Sequence, residues 1–129
     1  MSMIVSFPGG VAVTARYKGF EIRTDQPEGS GGGNSAPSPF DLFVASLGTC
    51  AGFYALRFCQ QRQLATEGLE LAVDIDRNPE NKHLDRVAIR LHLPAGFPDK
   101  YRAAIIRATD QCAVKQALLD PPEISVTAV

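Results

Sequence analysis

The sequence predicts a single α+β domain, built from antiparallel strands and one long central helix. Three observations carry that expectation. Two stretches alternate apolar and polar residues with period two, as half-buried strands do. Between them lies a long helical segment whose first two-thirds is apolar on every side, the mark of a central rather than a surface helix. The order along the chain is strands, long helix, strands, helix, strand, without internal repeats, and grouped elements of this kind define the α+β class.

Composition narrows the setting. The 129 residues suit one domain, and a chain of this size buries roughly two-thirds of its unfolded surface, enough for a core without disulfide staples. Hydrophobic residues at 45% and charged residues at 21% are ordinary globular usage. A formal net charge of −1 gives no electrostatic reason to expect nucleic acid or an acidic membrane as partner. Three cysteines, an odd number, fit a reducing compartment, so a cytoplasmic location is expected. Residues 1–7 lack the basic stretch and apolar core of a signal peptide. The longest largely apolar run, 42–56, holds Gly48, Thr49 and Gly52; at 15 residues it is too short for a bilayer and is expected to be buried in protein.

The elements follow in order. Residues 3–7 are β-rich and end at the turn signal Pro8-Gly9-Gly10. Val11, Val13 and Ala15, then Phe20 and Ile22, alternate with polar or small residues on either side of Lys18-Gly19, which predicts a small antiparallel meander. Residues 26–39 hold four glycines, three prolines and three serines and read as a loop, with residues 29–33 expected to be a mobile connector. A phosphate cradle is the functional alternative there, but no strand feeds it closely and no Gly-Lys-Ser/Thr follows. Ser38 is a good N-cap, Pro39 fits the first helical position and Asp41 sits three residues after the cap, so a helix is expected over 39–63. Ala45, Ser46, Gly48, Ala51 and Gly52 would let another backbone approach it closely. Leu69, Leu71, Val73 and Ile75, then Val87, Ile89, Leu91 and Leu93, alternate with mostly polar residues and predict a hairpin with one wet face. Pro98 opens a second amphipathic helix with Tyr101, Ile105, Ala108 and Cys112 on one stripe. A short helical piece, 114–119, stops before Pro121-Pro122, and residues 123–129 read as a last strand.

The best candidates for chemistry are two thiols, Cys50 and Cys112. Cys50 lies about twelve residues after the cap, where the dipole of its own helix has faded, so any activation must come from a neighbouring cation or hydrogen-bond donor. Arg57 is on the same face but two turns away. Cys59, nine residues on, is about 180° around the helix and cannot pair with Cys50 within one chain. Cys112 sits near the end of its helix, with Lys115 three residues later as a partner for a thiolate. Each thiol alone reads equally as a small core residue. Together, 62 residues apart on apolar faces, they can meet where helices pack at small side chains. His83 and His92 stand without metal-ligand spacing, and no metal or cofactor is expected. Asp41 reads as a cap residue before a catalytic one. No Ser/His/Asp arrangement or Gly-x-Ser-x-Gly stands out.

The segment 36–50, Ala-Pro-Ser-Pro-Phe-Asp-Leu-Phe-Val-Ala-Ser-Leu-Gly-Thr-Cys, resembles the stretch around the first cysteine of the OsmC/Ohr family, the osmotically induced and organic hydroperoxide resistance proteins. Gln111-Cys112-Ala113-Val114-Lys115 resembles the segment around that family's second cysteine. The resemblance implies an intertwined homodimer, with antiparallel sheets of both chains wrapped around the long central helices and the sites at the subunit interface. It implies a peroxide reductase for organic or small hydroperoxides, acting in oxidative stress defence. Cys50 would be the peroxidatic thiol and Cys112 the resolving one, with a dithiol, often lipoyl-linked, as reductant. The chain departs from the dedicated peroxidases in two places. Phe40 stands where they have a glutamate, with the acid one residue on at Asp41, and residues 7–10 lack their arginine. The resemblance is therefore to the broad OsmC-like branch. The alternative expectation is a non-catalytic dimer that binds a small hydrophobic ligand, or that senses redox state with the same thiols.

Overall fold

A computed structural model describes residues 2–129. Eight main elements follow the expected order: β1 (Ile4–Gly9), β2 (Ala12–Tyr17), β3 (Phe20–Thr24), α1 (Pro39–Gln61), β4 (Glu70–Arg77), β5 (Leu84–His92), α2 (Arg102–Thr109) and α3 (Ala113–Leu119). Short 3₁₀ turns lie at Glu28–Ser30 and Asp99–Tyr101. The five strands form two antiparallel sheets, β1-β2-β3 and β4-β5. The chain divides into two compact units, Met1–Ala45 and Ser46–Val129.

In the first unit β1 pairs with β2 from Ile4↔Arg16 to Gly9↔Ala12, and the register shifts between Ser6 and Gly9, where Pro8 has no N–H to give the ladder. The β2–β3 hairpin closes at Tyr17↔Phe20 through Lys18 and Gly19, whose φ of 53° and 79° match a type I′ turn and the twist of the strands it joins. The loop that follows is not the mobile connector expected. It is fastened around the buried Asp25, whose carboxylate accepts from the amides of Gln26 (2.8 Å), Gly33 (3.2 Å) and Ser35 (3.1 Å) and from the Ser35 hydroxyl (2.6 Å). The Asp25 amide in turn donates to the Pro37 carbonyl at 3.2 Å. These bonds, the Ser35 hydroxyl first, lower the Asp25 pKa to about 2. Gly32 is obligatory: a Cβ there would lie 2.0 Å from the Gln26 carbonyl oxygen.

The start of α1 is a reciprocal capping box. The Asp41 amide donates to Ser38 Oγ at 3.1 Å and the Ser38 amide to Asp41 Oδ2 at 3.0 Å. The helix stops at Gln61, two residues short of the expected end. Gln63 takes the left-handed conformation (φ 56°), and the amides of Gln63 and Leu64 donate back to the carbonyls of Gln60 and Cys59 at 3.2 and 2.9 Å, a Schellman ending without its usual glycine.

The second unit holds the main core. Ala55, Phe58, Cys59 and Ile105 are buried together, with Leu71, Leu91, Leu93 and Tyr101 packed around them. The Phe58 and Tyr101 rings meet edge to face at 6.0 Å. Leu47, Ala51, Ala55, Phe58 and Cys59 form one buried stripe of α1, with spacings of three and four. Burial on every side was expected. The structure buries that stripe alone, and Phe53 and Leu56 on other faces stay exposed. At 23 residues α1 is long and apolar enough to cross a membrane by length and composition. Its stripe nonetheless packs on protein, and at Gly48 the sheet approaches closely enough that a Cβ would lie 2.9 Å from Val73 Cγ2. In β4 and β5, Leu71, Val73 and Ile75 pair with Leu91, Ile89 and Val87 on the half-buried face, while Asp74, Asp76, Arg90 and His92 are exposed, as the alternation predicts.

Two expectations in the second unit are corrected. Cys112 is not on the helix that begins after Pro98. That helix closes at Thr109, whose hydroxyl bonds back to the Ile105 carbonyl (2.8 Å), and the chain tightens as the Gln111 amide turns to the Ala108 carbonyl (3.2 Å). Cys112 is the N-cap of α3 instead. Residues 123–129 form no strand; an extended segment becomes one only beside a partner edge, and none lies beside it, so Ile124 and Val126 are exposed.

Candidate functional site

The site is built by two backbone placements. α1 carries Cys50 three residues beyond the buried Leu47 and one before the buried Ala51, which leaves its thiol half-buried. The break after Thr109 redirects the chain so that the first residues of α3 face that thiol. Cys112, 1% exposed, caps the short helix by accepting the Lys115 amide at 3.4 Å, and its Sγ lies 3.9 Å from the Leu47 carbonyl oxygen, to which it can donate. The two sulfurs are in hydrogen-bonding contact. The structure thus brings together Cys50 and Cys112, 62 residues apart in sequence.

The two thiols have opposite environments. The Val114 amide donates to Cys50 and is the largest cause of a pKa below that of an ordinary thiol; partial burial opposes it, and the Cys112 thiol and the Ala113 amide add to it. Cys112 is pushed up, first by burial and further by Cys50, against the Lys115 and Val114 amides. One proton between the sulfurs therefore rests on Cys112, and Cys50 is the acceptor. Cys59, in the core, is also pushed up by burial and keeps the role of a small apolar residue.

The partners foreseen for these thiols are engaged elsewhere. The Lys115 ammonium pairs with Asp110, so this residue serves through its amide and not its charge. Arg57 lies over the Phe53 ring at 5.9 Å. Asp41 is held in the capping box. Arg16 and Arg23 share Glu21 at 3.7 and 2.7 Å. His83 bonds Asp85 at 3.0 Å, and among the described residues no group of His, Cys, Asp and Glu is assembled to hold a metal ion. The donors that sequence reasoning missed are the amides of Ala113 and Val114. Amides carry no side-chain signature; the available signal was the start of a second short helix directly after a cysteine able to cap it.

A mixed helix-and-antiparallel-sheet fold that sets one cysteine of a long apolar helix against a second cysteine far downstream defines a class of two-thiol α+β proteins. The chain belongs to the OsmC-like protein family, whose model matches residues 31–127. Solved structures agree in fold. A Psychrobacter arcticus protein named for osmotic stress induction and the detoxification response superposes with a TM-score of 0.74 at 21% identity, over 91% of this chain and 87% of that one. An OsmC-like protein from Mycoplasma pneumoniae gives 0.69 at 13% identity, over 93% and 87%. An organic hydroperoxide resistance protein OsmC from Legionella pneumophila gives 0.60 at 20% identity, over 92% and 89%. No curated protein matches the sequence.

Proposed function

We propose that the chain is a cysteine-based peroxide reductase for organic or small hydroperoxides, with Cys50 as the attacking thiol and Cys112 as the resolving one. The observation that carries this reading is the asymmetry of the touching pair: Cys50 is stabilised as thiolate by the Val114 amide, while Cys112 is kept protonated by burial. The Cys50 thiolate attacks the peroxide, an S–O bond forms, the O–O bond breaks, and the alkoxide leaves as the alcohol with a proton from solvent. The resulting sulfenic acid condenses with the Cys112 thiol to a disulfide and releases water. A dithiol reductant returns the two electrons by exchange. The hydroperoxide-resistance name of the Legionella relative supports the substrate class.

The working unit in this reading is a homodimer in the cytoplasm. Ile4, Val5, Phe7 and Phe20 of the first unit, and Phe53 and Leu56 of α1, are exposed in the single chain, more apolar surface than a monomer ordinarily leaves uncovered. Three free thiols fit a reducing compartment.

Peroxide consumption with a dithiol reductant, followed by mass spectrometry of the trapped protein, tests the scheme. Wild type should pass through a sulfenic acid to a Cys50–Cys112 disulfide. Cys50→Ser should lose turnover, and Cys112→Ser should accumulate the sulfenic acid. Undiminished turnover in Cys50→Ser would falsify the scheme.

A further inference from the structure

A cleft of about 350 Å³, within the range of small-molecule sites, opens between β5, α2 and the start of α3. Cys112 contributes to its wall and Cys50 does not. One side is apolar: Ile89, Leu91 and Leu93 present one face of β5, and Ile106, 53% exposed, faces them from α2. The rim is cationic. Of its charged residues, Lys115 and Asp110 neutralise each other as a pair. That leaves Arg102 and Arg107, neither of which has a carboxylate within ion-pairing reach among the described residues. Elsewhere arginines are matched: Arg16 and Arg23 by Glu21, Arg86 by Asp76, Arg90 by Asp74. An apolar cleft beside two guanidinium groups without counter-charge is complementary to one kind of small molecule.

We propose that this cleft binds a small apolar monocarboxylate, its hydrocarbon part against Ile89, Leu91, Leu93 and Ile106 and its carboxylate held by Arg102 and Arg107. A guanidinium fork offers paired N–H donors to a carboxylate, while an alcohol or an amine of the same length finds no such match. The binding does not depend on peroxide chemistry: the site lies against the Cys112 wall and contains no group of the attacking thiol.

Titration of the reduced protein with octanoate, octan-1-ol and octylammonium, followed by amide NMR, tests the assignment. Octanoate should shift the amides of Leu91, Ile106 and Lys115 and bind at least tenfold more tightly than either control. Arg102→Gln and Arg107→Gln are changes of exposed residues that leave the fold in place; each should weaken octanoate about threefold and together about tenfold, with octan-1-ol unaffected. Equal binding of all three probes, shifts confined to other residues, or octanoate binding unaltered in the double variant would each overturn the assignment. Peroxide turnover measured on the same double variant stays separate, since loss of octanoate binding with full turnover is the expected pattern.

Discussion

Cys50 reacts, in this reading, because of hydrogen bonds and not because of a cation. The pH profile of its alkylation should therefore inflect below that of a free thiol, about 8.5, and the inflection should move up in Cys112→Ala, which removes one of its donors. The same substitution deletes the cap of α3 and should cost about 0.5–2 kcal/mol of stability by denaturant unfolding. Cys59 should resist alkylation until the protein unfolds, since it is fully buried and its pKa is raised. Asp25 gives the acid limb of stability. Its folded pKa, about 2, lies below the unfolded value of 3.8, so its contribution is complete above the unfolded value and fades as pH falls from 3.8 towards 2. Asp25→Asn should remove that dependence and lower stability at neutral pH, as read by acid titration of circular dichroism. Nothing in the residue types around Asp25 marks it in advance, because its partners are mostly backbone amides of a glycine-rich loop.

At the scale of elements, the long helix was the most legible part of the chain. Ser38, Pro39 and Asp41 place its start, and the structure returns the capping box that their spacing predicts. Its end was less legible, because the left-handed position fell on Gln63 and not on a glycine. The two hairpins could be read from alternation alone. The boundary between α2 and α3 could not: residues 109–112 contain neither proline nor glycine, so the apolar stripe reads straight through to Cys112. The small residues of α1 admit the sheet, and Gly48→Ala tests this. Alanine in a helix is favoured over glycine by about 1 kcal/mol, but the new methyl would lie 2.9 Å from Val73 Cγ2, and overpacking costs typically about 1–3 kcal/mol. Val73 is β-branched and stiff, so the net change should be destabilising, and Val73→Ala in the same chain should reverse its sign. Thermal unfolding of the single and double variants checks this.

For the whole molecule, the sequence foresaw the α+β class and the meeting of the two thiols, but in a single chain it left three apolar surfaces uncovered: the meander, one side of α1 and the final residues. A homodimer accounts for all three. Light scattering after size exclusion should give twice the chain mass of 13.9 kDa. Phe53→Glu, which puts a charge on a side chain 51% exposed in the lone chain, should shift the mass to that of the monomer if α1 forms the contact. A monomer at all concentrations for the wild type would remove the dimer from this account.

The amides that ready Cys50 belong to residues 113 and 114, near the far end of a chain of 129. A growing polypeptide that has emerged only through its long helix therefore carries an ordinary, slow sulfur. The nucleophile switches on when synthesis is almost finished and α3 has docked, so incomplete chains are spared from oxidation, and the rate at which a dilute thiol reagent labels this one position becomes a clock for the last step of folding.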